Sequence, residues 1–366
     1  MRRTSSLIAV VSISTILAAT LPAGASGRMR EVSSVRVSKS GLGRIEVREG
    51  VAAVLQRREG IVALLDVADP KRPRILGRYD DGAVDSLDGD LAFSEDGRFV
   101  IYARQTVQFS RDGVHVIDVT DPKNPALHSY SPSGGAYRVL THSDASGEYV
   151  VLLDAVYGLV VYRLVEGVLI PVYNDALPAL KVGGPASAGM EIVGRRLYVT
   201  TGQTGLQVYD FTNPTNPMVL GAWDGEGLAE VEVVKVGKRV IAYAATEYWF
   251  DSNNENEIVV LDVSEPGRIR KVARWFYFFG LDEMNRLEGL TWSGGVLYAA
   301  HSESSLVAFR DGRVVGHLEP GRHCDREGEE RGCLYKAASP PAFDVERLGA
   351  LLLVASDDGQ LYVVSR

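Results

Sequence analysis

The sequence predicts an all-β protein: a seven-bladed β-propeller of four-stranded antiparallel blades, its ring closed by an N-terminal strand. Three observations carry this. One phrase recurs, because Ile61–Tyr79 (IVALLDVADPKRPRILGRY), Val114–Tyr130, Leu206–Trp223 and Ile258–Trp275 each read as strand, tight turn, strand. Its spacing is regular: Asp66 to Asp118 and Asp210 to Asp262 are each 52 residues, and degenerate copies at Leu159–Arg163, Leu306–Arg310 and Leu361–Ser365 complete seven units. Each of the first six units also holds four short runs rich in Val, Ile, Leu and Tyr, separated by Gly, Asn and Pro turn signals. A period of roughly 40–50 residues with several strands per unit is the mark of a propeller blade.

Along the chain, residues 1–25 read as a secretory signal peptide. Arg2 and Arg3 form the charged start, Leu7–Leu21 is an apolar run short for a membrane span, and Ala23-Gly24-Ala25 is the cleavage site. Residues 26–366 read as one propeller domain, secreted or displayed at the cell surface, with no membrane span in the mature chain; an uncleaved anchor is the alternative. Cleavage removes two arginines and takes the net charge from −8 to −10, which argues against nucleic acid as a partner. Val32–Val37 precedes the first complete unit, and the last unit, Ala342–Arg366, has only three strands. The N-terminal strand supplies the fourth and so removes an open sheet edge. Deleting residues 32–38 should then destabilise the whole ring.

The first strand of each unit ends at a hairpin glycine: Gly50, Gly97, Gly147, Gly194, Gly237, Gly294 and Gly349. Five residues upstream lie Ile45, Ala92, His142, Gly189, Glu232, Gly289 and Asp344, with Glu230 and Glu288 beside them. In a propeller this strand lines the central channel, so several carboxylates are expected near the axis. The simpler reading is a wet channel with no cofactor. The alternative is an axial calcium held by Glu232, Glu288 and Asp344, with Glu288, His142 and His301 as catalytic candidates of an extracellular hydrolase or lactonase.

The most prominent motif is an Asp followed four residues later by Pro: Asp66/Pro70, Asp118/Pro122, Asp210/Pro214 and Asp262/Pro266. Pro fixes φ, and the Asp carboxylate can accept turn N–H groups, so the motif reads as a turn former. These four segments resemble the LVIVD repeat, a β-propeller repeat of secreted and surface proteins of bacteria and archaea. The resemblance implies the architecture and the location. It implies no reaction and no catalytic residue, since that family is described by fold and location alone.

Function is expected where the chain departs from its repeat. Gln105–Gly113, Ala245–Glu257, Trp275–Glu288 and Pro320–Pro341 lengthen connections between the second and third strands, or between blades, and both kinds emerge on one face. Tyr248, Trp249, Phe250, Trp275 and Tyr277 are the binding candidates there, for a protein or a polysaccharide. The competing reading packs these rings onto the blades. Asp251–Glu257 offers alternating oxygens but lacks the Gly and closing Glu of a calcium loop. Cys324 and Cys333, the only cysteines, predict a disulfide in an exported chain. No nucleophile elbow, HExxH, Walker or dinucleotide motif is present. The leading reading is therefore a binding module rather than an enzyme.

Overall fold

The computed structural model describes residues 29–80, 82, 86–106, 112–175, 188–202, 205–246, 256–277, 287–301, 305–318 and 342–366. Runs of β-branched and aromatic residues alternate with Gly, Asp and Pro turns, and each run forms a strand. The first strand is β1 (Arg30–Arg36). Blade 1 is β2–β5 (Leu42–Arg48, Val51–Gln56, Ile61–Asp66, Arg74–Tyr79), and blade 2 is β6–β9 (Ser86–Phe93, Phe99–Thr106, Gly113–Asp118, Ala126–Pro132). Blade 3 is β10–β13 (Ala136–Asp144, Gly147–Asp154, Gly158–Val165, Val168–Asp175), and blade 4 is β14–β17 (Met190–Val193, Arg196–Thr201, Gly205–Asp210, Met218–Trp223). Blade 5 is β18–β21 (Leu228–Val236, Arg239–Thr246, Asn256–Asp262, Arg270–Tyr277), and blade 6 is β22–β25 (Leu287–Ser293, Val296–His301, Ser305–Arg310, Arg313–Leu318). Blade 7 is β26–β28 (Ala342–Leu348, Leu351–Ser356, Gln360–Ser365) completed by β1, which pairs antiparallel with β28.

The ring thus closes as the strand count predicts, with Arg30–Arg36 as the closing strand. The four strands of a blade are termed A to D from the axis outward. Every A strand packs on the A strands of both neighbouring blades, which makes a continuous inner ring. Strands B and C are buried on both faces: Phe99–Thr106 is buried throughout. The apolar core is divided among the seams. Val114 and Ile101 of blade 2 meet Val150 and Leu152 of blade 3, Leu42 and Val54 of blade 1 meet Leu353 and Leu361 of blade 7, and the other seams repeat this.

The Asp residues of the recurrent turn hold the C–D connection. Asp66, Asp118, Asp210 and Asp262 each accept the N–H two residues on, at 3.1, 2.9, 2.9 and 3.1 Å. The next residue, Val67, Val119, Phe211 or Val263, donates its N–H to a carbonyl of the A–B hairpin region at 2.8–2.9 Å. A bulge then recurs in all seven D strands. The extra residue is Val32, Leu76, His128, Val172, Leu220, Val272 or Val315. A β-bulge turns its strand and strengthens its twist. The residue after it is small in six blades (Ser33, Gly77, Ser129, Gly221, Ala273, Gly316) and Tyr173 in the seventh. Small size suits the position because the C–D turn of the next blade docks there. Ser33 Oγ donates to the Pro70 carbonyl at 2.6 Å, and Ser129 Oγ to the Gly167 carbonyl at 2.6 Å. A Cβ on Gly77 would lie 2.5 Å from the Pro122 carbonyl oxygen, and one on Gly221 would overlap that of Pro266.

Pro214 is the most enclosed proline of the recurrent turn. It is buried, whereas Pro70, Pro122 and Pro266 are half-buried. Its turn belongs to blade 4, and the residue after the bulge on the preceding D strand is Tyr173, the large member of the set. That ring packs into the same seam as Phe211, three residues before Pro214.

Candidate functional site

In a meander blade the A–B and C–D turns lie at one end, and the B–C and D–A connections at the other. Connections 107–111, 247–255, 278–286 and 319–341 therefore leave from one face, as does 176–189 between β13 and β14, which the departures from the repeat had not picked out. Tyr248, Trp249, Phe250, Cys324 and Cys333 lie outside the described residues. What is described is the platform beneath these connections, and polar contacts hold it. In blade 2, Asp112 closes the base of connection 107–111 by accepting the Thr106 N–H at 2.6 Å and its hydroxyl at 2.7 Å. The Tyr130 hydroxyl donates to the Asp112 carbonyl at 3.0 Å. In blade 5, Arg274 pairs with Glu257 at 2.8 Å and with Glu226 at 2.5 Å, and Lys271 reaches Glu226 at 3.4 Å. This chain of charges braces the return of connection 247–255 into β20.

Trp275 lies two residues before the end of β21. Its ring centroid is 5.0 Å from that of Tyr243 and 6.2 Å from that of Phe309, and Gly312 of blade 6 lies against it. The indole is therefore built into the seam between blades 5 and 6. Tyr277 pairs with Asn256 across the strands that border connection 247–255. His301 ends β23 on the same face and is fully buried, which pushes its pKa down to about 4 and keeps the imidazole neutral. His142 sits toward the opposite end of blade 3, its ring 5.3 Å from that of Phe211 in the next blade.

The axis is the second place where functional groups gather. Glu230 of blade 5 pairs with Arg44 of blade 1 and, at 2.5 Å, with Arg138 of blade 3. These blades are not neighbours, so the triad spans the channel. Asp344 lies 3.6 Å from Arg44 and accepts the Ile45 N–H at 2.8 Å. Asp90 likewise accepts the Val139 N–H of the next blade at 2.9 Å, Glu232 accepts that of Trp292 at 3.0 Å, and Glu191 accepts that of Val233. Each of these carboxylates ties its own inner strand to the following one. Burial pushes Asp344 up to about 6 despite Arg44, and Glu232 up to about 7. Glu46 rises to about 8 through burial and the charges of Asp90 and Asp344.

The sequence-predicted axial residues are thus split. Glu232 and Asp344 face the channel, and Asp344 is held by Arg44. Glu288 contributes its carbonyl, which accepts from Arg44 Nη1 at 3.1 Å. Ile45 and Ala92 are buried in the seams instead, a correction to the count from the hairpin glycines. Among the described residues no group of three or more His, Cys, Asp or Glu side chains is placed to hold a metal ion. Arg44, Arg138 and Asp90, which sequence reading missed, dominate the upper channel. For Arg44 a signal was available, since Arg44 and Glu46 alternate with apolar Ile45 along β2.

No protein-family model matches the chain, and no curated protein matches it. Among solved structures it is similar over 93% of its length to BamB from Moraxella catarrhalis, with 12% identity, 98% of that chain covered and a TM-score of 0.54. Over 92% it is similar to the β-propeller domain of Swd1 from Myceliophteria thermophila, with 13% identity, 99% of that chain covered and a TM-score of 0.60. Over 92% it is also similar to Raptor from Chaetomium thermophilum, with 13% identity, 29% of that chain covered and a TM-score of 0.61. Such identities carry the fold and nothing finer.

Proposed function

We propose that this chain is a secreted or cell-surface β-propeller that binds a protein or a surface glycan through the face carrying its long connections. One observation supports the reading above the others: the two ends of the ring are used differently. At one end the turns are short and are consumed in holding each blade to the next. At the other end five connections outgrow the repeat, three of them between β19 and β26, and the bases of two are braced by Asp112 and by Glu257, Arg274 and Glu226. Loops fixed on a rigid scaffold are how binding surfaces are commonly built. The signal-like start, Arg2 to Ala25, supports export.

The test replaces residues 247–255 by a two-residue Asn-Gly turn. Binding to isolated surface polysaccharide and to intact cells should fall about tenfold or more with unfolding unchanged. Equal binding by both proteins would sink the reading of this face. N-terminal sequencing of the exported protein should begin at Ser26, and protein retained inside the cell would refute the location.

A further inference from the structure

The end of the ring opposite the long connections has an uneven charge. On blades 2 and 3 the A–B hairpins present Glu95, Asp96, Asp144 and Glu148, with Arg98 as the one cation. Arg98 is turned aside, its guanidinium over the Phe99 ring and 4.0 Å from Asp96. On blades 4 and 5 the same hairpins present Arg195, Arg196, Lys235, Lys238 and Arg239, and no acid. The C–D turns carry mixed charge, with exposed Asp121 and Lys123 on blade 2, Arg163 and Glu166 on blade 3, and Glu265, Arg268 and Arg270 on blade 5, so the asymmetry lies in the hairpins. Part of this charge is used within the chain: Glu95 lies 3.8 Å from Arg48 of the blade 1 hairpin, Glu148 accepts the Glu95 N–H at 2.5 Å, and Arg196 donates to the Ser264 carbonyl at 3.1 Å. Arg239 lies 4.0 Å from Asp262, and among the described residues Arg195, Lys235 and Lys238 make no ion pair.

Ring symmetry makes the arrangement self-complementary. Consider a two-fold axis lying in this face, running through the seam between blades 3 and 4 and through blade 7. It carries blade 3 onto blade 4 and blade 2 onto blade 5. Two copies opposed about it place the acidic hairpins of each on the basic hairpins of the other, twice over, as an isologous contact requires. Of the seven such axes a seven-bladed ring offers, only this one pairs both regions at once.

We propose that this face is the interface of a homodimer, with a second copy of the chain as its occupant and the contact centred on blades 2 to 5. Glu95 and Asp96 of one copy meet Lys238 and Arg239 of the other, and Asp144 and Glu148 meet Arg195 and Arg196. Val236, 47% exposed at the tip of the blade 5 hairpin, is covered by blade 2 of the partner. Both long-connection faces then point outward, away from each other.

Sedimentation velocity on the purified protein tests this. A dimer is expected at roughly 50 mM salt, weakening toward monomer at roughly 500 mM as the charges are screened. Lys238→Glu with Arg239→Glu, and separately Glu95→Lys with Asp96→Lys, should each raise the dimer dissociation constant about tenfold or more. All four positions are exposed, so each variant should fold. Mixing the two variants should restore the dimer, because each then meets opposite charge at both contacts. Wild-type protein that stays monomeric at low salt overturns the proposal, including a monomer that binds anionic vesicles through its basic hairpins. A dimer that both variants retain overturns it equally.

Discussion

Glu230 is the single acid that touches both Arg44 and Arg138, and the two guanidiniums are largely buried (side chains 11% exposed each). Removing the charge leaves two largely buried guanidiniums without the acid they share, although Asp344 remains 3.6 Å from Arg44. Glu230→Gln is expected to cost about 3–5 kcal/mol, read by denaturant unfolding, as for other buried pairs that lose one member. Replacing all three by Leu and Met of similar volume should recover most of that loss. At this scale the sequence was only half legible. That carboxylates approach the axis could be read from Glu232 and Asp344. Which side chains face the channel could not be counted from the hairpin glycine. Gly50 stands two residues beyond β2, whereas Gly97 stands four beyond β6 and Gly147 opens β11. Six inner strands also shift register near their start, between Leu42 and Ile45 in blade 1 for example. Side-chain direction has a period of two, so each slip of one residue reverses it.

Elements were far more legible than residues. The Leu-x-Val-Tyr-Asp phrase marks strand C, the Asp and Pro mark the turn, and the hairpin glycines mark the end of strand A. These signals are local, so the strand C phrase is still read in blade 3, where Arg163 replaces the Asp and the turn Pro is absent. The closing strand was expected at 32–37 and runs Arg30–Arg36. Its removal should be felt beyond blade 7, because β28 would be left with an open edge and Pro70 would lose Ser33. Deleting residues 29–36 is expected to lower the melting temperature by more than about 5 °C and to promote edge-to-edge association. A truncated protein that melts like the wild type would show that the ring does not need its fourth strand there. The bulge in each D strand was not legible, since no residue type marks it: Leu, Val and His all occupy the extra position. Only the small residue that follows hints at it, and Tyr173 breaks even that.

The acidic inner ring gives the whole molecule an expected pH dependence. Glu46, Glu232 and Asp344 are raised from the usual 4.5, 4.5 and 3.8 to about 8, 7 and 6, first by burial. Between those limits the folded state binds protons that the unfolded chain releases. Stability from these groups is therefore fully present below about pH 4 and is lost as pH rises toward 8. The turn residues Asp66, Asp118 and Asp210 act oppositely: their hydrogen bonds hold them below the usual value, so their contribution fades in acid. Together the two sets place maximum stability in mildly acidic solution. The melting temperature should be higher at about pH 5 than at about pH 8, by roughly 2 °C or more, and Glu46→Gln should flatten the difference. A melting temperature that rises from pH 5 to 8 would contradict this account of the channel.

The clasps between blades also have a direction in time. Each docking position on a D strand lies earlier in the chain than the turn that leans on it: Gly77 precedes Pro122, Ser129 precedes Gly167, and Gly221 precedes Pro266. Ser33 obeys the same order, because β1 precedes Pro70 of blade 1. In a chain that emerges N-terminus first, each of these turns meets a shoulder already made. The closing strand can be parked against the first blade while the other six are still to be synthesised. The last three strands then arrive at a slot whose fourth member is waiting, and the circle is joined without any early segment having to search for its place.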